Sequence, residues 1–174
     1  DELAAKEAEL QAVTEKYNAM PSEVLKNQLA ALNASLTRKA EQRRGIEGDI
    51  ATANAKAAGF ESQMNDITAQ AKAMKPGVPC PTCGKPSTEE DIEKHKAEFR
   101  RRWVELRDKA NAQKALAADQ GKLLGELLAS IGTDEQSKTD IEKELAGIVE
   151  FYNKEVAPVA SAVNSLRAAV AQSE

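Results

Sequence analysis

The segment PGVPCPTCGKP, residues Pro76–Pro86, separates two halves of the chain that both have the pattern of long helices. It contains four prolines and two glycines, and such a concentration of helix breakers cannot continue either helix. The chain must therefore turn within this segment. The only two cysteines of the sequence, Cys80 and Cys83, lie inside it, so the turn also holds the chain's thiol groups.

The half before the turn has the period of a coiled coil. From Leu25 to Met74, steps that alternate between four and three residues reach thirteen apolar side chains in fifteen positions: Leu25, Leu29, Leu32, Leu36, Lys39, Arg43, Ile46, Ile50, Ala53, Ala57, Phe60, Met64, Ile67, Ala71 and Met74. A repeat of about 3.5 residues predicts a helix whose apolar seam packs against a facing helix. Leu3, Leu10, Val13, Tyr17 and Met20 extend the pattern upstream. A one-residue slip beside Pro21 predicts a break or kink there.

The half after the turn has a similar seam with more polar gaps: Ile92, Lys96, Phe99, Trp103, Leu106, Ala110, Gln113, Ala117, Gln120, Leu124, Leu127, Ile131, Asp134, Lys138, Ile141, Leu145, Ile148 and Tyr152. It continues at Val156, Val159, Val163, Leu166 and Val170, and Pro158 predicts a second kink. Ser87 or Thr88, followed by the acidic run Glu89–Asp91, has the composition of a helix N-terminus.

Two amphipathic helices joined by a short turn bury their seams most simply on each other. We therefore predict an all-α fold, a long antiparallel coiled-coil hairpin with an ascending helix over residues 1–75, a turn over 76–86 and a descending helix over 87–174. The stretch from Leu25 to Met74 would be about 75 Å long. A symmetric turn pairs residues whose numbers add to about 163, which places Lys39 opposite Leu124.

Polar seam residues and glycines coincide at one level of this hairpin. Gly45, Gly48, Gly121 and Gly125 are helix-interior glycines, each less favourable than alanine by about 0.5–1 kcal/mol. We expect a soft joint there, over residues 39–48 and 113–134. The alternative is that the polar residues only set the register of the two helices.

The composition agrees with an extended helical protein. Aromatic residues make up 3% and charged residues 30%, so the chain has few large side chains for a globular core. The net charge of −4 is spread along the sequence and predicts no nucleic-acid-binding surface. Three consecutive arginines, Arg100–Arg102, point in different directions around a helix, which favours a solvated face over a phosphate contact. No apolar run is long enough to cross a bilayer, and no signal peptide is recognisable.

The Cys80-x-x-Cys83 pair has the spacing of half a zinc site. Structural zinc takes four ligands, usually from two such pairs, and the chain has no other cysteine, so the missing half must come from another molecule. In the cytosol, where we expect the protein, thiols stay reduced and favour a metal over a disulfide. A reversible redox pair and two inert thiols remain alternatives. His95, the only histidine, lies on a helix that should lead away from the turn, which disfavours it as a third ligand.

Other residues of the segment shape or surround such a site. Pro81 restricts φ early in the turn, and Gly84 can adopt the left-handed conformation just after Cys83. Lys75 and Lys85 flank the turn. They could offset the negative charge of four thiolates or serve only as solvent-facing charges.

The run Cys80-Pro81-Thr82-Cys83-Gly84-Lys85-Pro86, at the turn of a long helical hairpin, resembles the zinc hook of the Rad-fifty/SbcC family of SMC-like ATPases. That resemblance covers seven residues. It implies that Cys80 and Cys83 from each of two chains bind one zinc ion and join two coiled coils tip to tip. It also implies a longer parent protein with ATP-binding heads, a nuclease partner and a role in DNA double-strand-break repair, in the cytoplasm with the nucleoid or in the nucleus. The start at Asp1, without methionine, agrees with a piece of a longer protein.

We therefore expect a zinc-dependent homodimerisation module without a membrane partner or a small-molecule substrate. The sequence contains no phosphate-binding loop and no readable pair of nucleophile and base, so we do not expect an enzyme. Two other functions stay open. One is a thiol–disulfide redox protein that uses Cys80 and Cys83. The other is a plain coiled-coil adaptor that binds a partner helix through residues such as Val156–Val170, which could instead pack on Leu3–Met20.

Overall fold

The structure, a computed structural model, describes residues 2–81 and 83–173. Its helices are α1 Glu2–Asn18, α2 Ser22–Ala73, α3 Glu89–Phe151 and α4 Ala157–Ser173, with a π-helical segment Tyr152–Val156 between α3 and α4. Across these ranges no strand is present, and Pro79 and Pro86 form an isolated bridge. The prediction of an all-α protein with two long helices is confirmed. No helix among the described residues is long and apolar enough to cross a membrane.

The chain leaves the helical conformation just before Pro21. Helix α1 ends at Asn18 and α2 begins at Ser22, so the interruption falls where the apolar pattern slips by one residue. Proline has no N–H to donate and disfavours the helical conformation of the residue before it. The Leu25 N–H donates to the Pro21 carbonyl at 3.0 Å, so Pro21 supplies the first acceptor of α2.

Pro158 does not interrupt the helical path. The π-helical segment precedes α4, and the Ala157 N–H donates to the Tyr152 carbonyl, five residues earlier. Pro158, the second residue of α4, removes one N–H donor from this continuous helical path. A wider turn beside a proline is a common way to keep a helix continuous.

The contacts divide the chain into two compact units. The terminal unit comprises Asp1–Ala40 and Ala129–Glu174, and the central unit comprises Glu41–Leu128. Helices α2 and α3 run unbroken through the residues of the expected soft joint. The mobility of that region stays a prediction.

In the terminal unit, α1 packs against α4 and the π-helical segment. The ring centroids of Tyr17 and Tyr152 are 5.1 Å apart, and Arg167 forms an ion pair with Glu7 at 2.8 Å. Val163 is fully buried and Val156 nearly so. Val156 and Val163 are therefore covered within the chain, whereas Val170 is 45% exposed, and the adaptor hypothesis stays open.

A polar cluster lies in the seam of the same unit. The Lys39 ammonium donates to the Asp134 carboxylate at 2.6 Å and to the Ser130 hydroxyl at 2.7 Å, and the Ser35 hydroxyl donates to Asp134 at 2.9 Å. We call Ser35, Lys39, Ser130 and Asp134 the seam polar cluster. Its donors and acceptors satisfy one another, which is the condition for placing charge in an apolar seam.

The central unit has a narrow core. Ala53, Ala57 and Ala110 are its buried small residues. The Lys114 ammonium forms an ion pair with Glu61 across the two long helices. Next to the turn, larger side chains form an apolar cluster of Ile67, Met74, Cys80, Ile92 and Phe99.

The expected register was wrong. Lys39 contacts Ser130 and Asp134 rather than Leu124. The residue numbers of these two pairs add to 169 and 173, whereas the predicted sum was 163. Part of the shift arises in the turn, where Cys80 pairs with Lys85 and the sum is 165. The remaining difference agrees with the direction of helical side chains, which lean toward the N-terminus of their own helix. The long side chain of Lys39 therefore reaches further from the turn than its backbone does.

The predicted seams are the faces that the structure covers. Every seam residue listed for the first half is buried or half-buried except Arg43, and every residue listed from Ile92 to Tyr152 is so except Tyr152. Arg43 instead extends along its own helix to an ion pair with Glu47 at 2.8 Å.

Candidate metal centre

The turn that holds the cysteines is a short two-stranded ladder. The Ser87 N–H donates to the Val78 carbonyl at 3.1 Å, and the Cys80 N–H donates to the Lys85 carbonyl at 2.7 Å. The bridge between Pro79 and Pro86 lies between these two bonds. Neither proline has an N–H, so the neighbouring residues donate the bonds of the ladder. This arrangement holds Cys80 at a defined position.

Two glycines allow the chain to bend. Gly77 has φ of +77° and opens the ladder, where its N–H donates to the Ser87 carbonyl at 3.0 Å. Gly84 has φ of +74°, and its N–H donates to the Cys80 carbonyl at 2.8 Å. The left-handed conformation predicted for Gly84 is therefore confirmed. A side chain at either position would strain the backbone.

A capped helix follows the ladder. The Thr88 hydroxyl accepts the Asp91 N–H at 3.2 Å and donates to the Asp91 carboxylate at 2.8 Å, so Thr88 is the N-cap of α3. The hydrogen bond from Thr88 lowers the pKa of Asp91 below its ordinary value. Of the two predicted cap residues, Ser87 is instead buried within the ladder.

The two thiols differ in environment. Neither forms a disulfide. Cys80 is 4% exposed and belongs to the apolar cluster with Met74 and Phe99, whereas Cys83 is exposed. Cys80 is therefore anchored in the fold, and Cys83 is the thiol that another molecule can reach directly.

His95 lies beside Cys80, which the sequence interpretation did not anticipate. Its Nε2 is 3.6 Å from the Cys80 Sγ, and its ring stacks on Phe99 with centroids 6.3 Å apart. We expected α3 to carry His95 away from the cysteines, and that expectation was wrong for Cys80. The reason is that Cys80 packs back onto the helices, where Ile92, His95 and Phe99 share one face of α3. The spacing of three and four residues on that helix is the signal that could have indicated this contact.

The His95 contact affects the chemistry of the thiol. The His95 Nε2 lies within hydrogen-bonding distance of the thiol sulfur, and the tautomer of the imidazole decides which of the two groups donates. The lysines that flank the turn, Lys75 and Lys85, are both exposed. Their role in offsetting the charge of four thiolates stays a prediction.

The candidate ligand atoms, two cysteine sulfurs, are of a type that zinc prefers. Thiolate sulfur is a preferred zinc ligand, and the Cys80–Gly84 turn supplies two of them on one short loop. Among the residues that the structure describes, no group of three or more His, Cys, Asp or Glu side chains is arranged to hold a metal ion. The prediction that a second molecule supplies the remaining ligands stays a prediction.

The candidate centre thus combines an anchored thiol, an exposed thiol and a histidine in contact with the anchored one. Its assignment depends on this geometry and on the motif. Comparison of the chain with protein-family models, with curated proteins and with solved structures finds no match.

Proposed function

We propose that this chain is a zinc-dependent homodimerisation module, in which Cys80 and Cys83 of two copies together bind one zinc ion. The observation that carries the proposal is the pair of unbridged thiols in the bend between two long helices, with Cys83 exposed. The shared ion would join two antiparallel coiled-coil hairpins at their turns. Each hairpin would then act as an arm that transmits the tether.

We also infer from the motif which kind of protein would contain this module. The run Cys80–Pro86 resembles the zinc hook of the Rad-fifty/SbcC family, so we place the module in an SMC-like ATPase of double-strand-break repair. ATP hydrolysis, DNA contact and the nuclease partner would belong to heads outside this sequence. The module itself would have no catalytic role.

Zinc binding and dimerisation are thermodynamically coupled in this proposal. With two thiolates contributed per chain, the four-sulfur site exists only in the dimer, so the free energy of metal binding appears as association. Protons compete with zinc for the thiolates, and the dimer should weaken as the pH falls. Removal of the metal should leave the helices intact, because their seams lie outside the turn.

The first test is light scattering of the purified chain in zinc-containing buffer, before and after treatment with a strong chelator, together with metal analysis. We expect one zinc per two chains, a dimer before chelation and a monomer after it. The variant Cys80→Ser with Cys83→Ser should be a monomer under both conditions with unchanged helix content. A dimer that survives both chelation and this substitution would contradict the proposal.

The contact between His95 and Cys80 also favours a second candidate, a thiol–disulfide redox protein. An imidazole against a thiol lowers the thiol pKa in many reactive cysteine sites. In this case one cysteine of the reduced chain would attack a disulfide substrate, form a mixed disulfide and release the first substrate thiol; the other cysteine would then close the Cys80–Cys83 disulfide and release the second substrate thiol. Reduction of one equivalent of a model disulfide per zinc-free, pre-reduced chain, slowed in His95→Ala, would favour this candidate, whereas stoichiometric zinc retention without such reduction would favour the hook.

A further inference from the structure

An open groove of about 520 Å³ lies between α2 and α3 of the central unit, close to the turn. Its apolar lining consists of Ile67, Ala71, Met74, Phe99 and Trp103. Ile67, Met74 and Phe99 are buried in the apolar cluster, while Ala71 and Trp103 pack against that cluster and remain half-buried. The groove thus offers a firm apolar floor and part of a tryptophan ring to an incoming group.

The rim of the groove is cationic on both sides. Lys72 and Lys75 of the α2 side face Lys96 and Arg100 of α3, and none of the described residues that line the groove is acidic. In coiled coils, the residues that flank the seam commonly carry opposite charges that pair across it. Glu61 and Lys114 of the same unit do so. Around the groove the flanking charges have one sign, which costs free energy in the isolated chain.

These four cations also lack carboxylate partners among the residues that the structure describes. Over residues 2–81 and 83–173, none of them forms an ion pair, although nearby Arg101 pairs with both Glu98 and Glu105. The expected solvated face of Arg100–Arg102 is therefore divided: Arg101 is neutralised by its own helix, and Arg100 borders the groove. The rim is left with four positive charges beside an apolar floor.

We propose that this groove docks an amphipathic helix of another protein, one that carries acidic residues on both sides of an apolar stripe. The apolar stripe would cover Trp103 and the floor, and the flanking carboxylates would meet the cations of α2 and α3. A third helix can lie along the groove because the α2 lining, from Ile67 to Lys72, extends for about 8 Å, more than one helical turn, and Met74 and Lys75 continue the lining beyond the helix. Charge complementarity supplies the orientation, and the apolar contact supplies most of the affinity.

A nucleic acid fits the groove less well. Phosphate groups would satisfy the rim, but a sugar–phosphate backbone would leave the apolar floor uncovered. The groove lining does not include Cys80 or Cys83, although its floor residues Ile67, Met74 and Phe99 share the apolar cluster with Cys80.

Trp103 is the only tryptophan of the chain and lines the groove, so its fluorescence reports occupancy. The probe is a synthetic helical peptide with leucines at heptad spacing and glutamates on both flanks, titrated into the full 174-residue chain. We expect a saturable blue shift of the Trp103 emission that weakens with added salt. A matched peptide with lysine in place of glutamate, and another with serine in place of leucine, should each bind about tenfold or more weakly.

Charge-reversed variants locate the binding site. The variant Lys72→Glu with Arg100→Glu should bind the acidic peptide about tenfold or more weakly than the unchanged chain does. It should bind the lysine peptide better than the unchanged chain does. The matched control, Lys56→Glu with Lys122→Glu, reverses two exposed lysines outside the groove and should change affinity less than about twofold. Circular dichroism of each variant verifies that the helices persist.

Four results would overturn the inference. The first is an equal loss of affinity in the groove and control variants, and the second is equal binding of the serine peptide. The third is a stronger Trp103 response to a single-stranded oligonucleotide than to the acidic peptide. The fourth is a Trp103 shift driven by chain concentration alone. The last would show that a second copy of the chain occupies the groove.

Discussion

At the residue scale, the candidate centre is asymmetric. Cys80 is packed in an apolar cluster and contacts His95, whereas Cys83 is exposed on the bend. In a shared site, the buried thiol would fix where the zinc lies relative to the helices, and the exposed thiol would reach the gap between two chains. The motif alone treats the two cysteines as equivalent, because it records only their spacing.

This asymmetry predicts different effects of two single substitutions on stability. In chelator-treated, reduced protein, Cys80→Ser should lower the free energy of unfolding by about 1–2 kcal/mol, because it places a hydroxyl in an apolar cluster. Cys83→Ser should change it by less than about 0.5 kcal/mol, because that side chain is exposed. Urea unfolding followed by far-UV circular dichroism measures both. Equal effects would show that Cys80 is not anchored as described.

At the scale of the helices, the seam polar cluster joins α2 to α3 at a defined register. Lys39 and Asp134 lie in the apolar seam with side chains that are 22% and 17% exposed, and Ser35 and Ser130 complete their hydrogen bonds. An alternative register would leave these charges without partners in a partly buried position. Polar residues at seam positions commonly select one register in this way, at a cost in stability.

The cluster predicts a coupled pair of substitutions. Lys39→Leu or Asp134→Leu alone should lower the thermal midpoint, because each leaves the other charge in the seam without its partner. The double variant should recover the midpoint of the unchanged chain or exceed it, since two leucines continue the seam. The exposed pair Arg43→Leu and Glu47→Leu is the matched control and should show little coupling. Additive effects at Lys39 and Asp134 would contradict the proposed register role.

The same cluster predicts a pH dependence. The hydrogen bond from Lys39, and then that from Ser35, lowers the pKa of Asp134 below its ordinary value of 3.8. A lowered pKa in the folded state means that the stabilisation is complete above that ordinary value and is lost as the pH falls through the lower, folded-state pKa. Thermal melts of the unchanged chain and of Asp134→Asn should therefore converge in acid. A constant difference between them down to acid pH would show that Asp134 does not contribute through its charge.

At the scale of the whole molecule, two long helices pass through residues with poor helix propensity. Gly45, Gly48, Gly121 and Gly125 lie in helix interiors of the central unit, and a Cβ added at any of them would meet no atom within 4 Å. Nothing in the packing requires glycine there. We expect these glycines to make the region easier to open, because glycine lowers the free energy needed to unfold a helix locally.

Alanine at these positions should therefore stabilise the chain. Each Gly→Ala change should raise the free energy of unfolding by about 0.5–1 kcal/mol, and the fourfold variant should resist limited trypsin digestion near Arg43. Gly84→Ala is the contrasting control and should be destabilising, because Gly84 has φ of +74°. If the fourfold variant is digested at the same rate as the unchanged chain, the joint is not a site of local opening.

The local features of this protein could be read from its sequence. The apolar repeat identified the helix faces that are covered, the prolines and glycines located the turn, and the sequence predicted the left-handed Gly84. Each of these depends on φ restrictions or on the spacing of residues within one element, so no distant contact is needed to infer them.

Only the tertiary structure decided which residues meet between elements. The register of Lys39 with Asp134, the burial of Cys80 but not Cys83, and the contact between Cys80 and His95 all depend on how the turn returns the chain onto the helices. A residue pattern contains the period of a helix but not the offset between two helices. That offset is set by contacts between the helices, such as the hydrogen bonds of Lys39 with Ser130 and Asp134, and these contacts form only once the helices have packed.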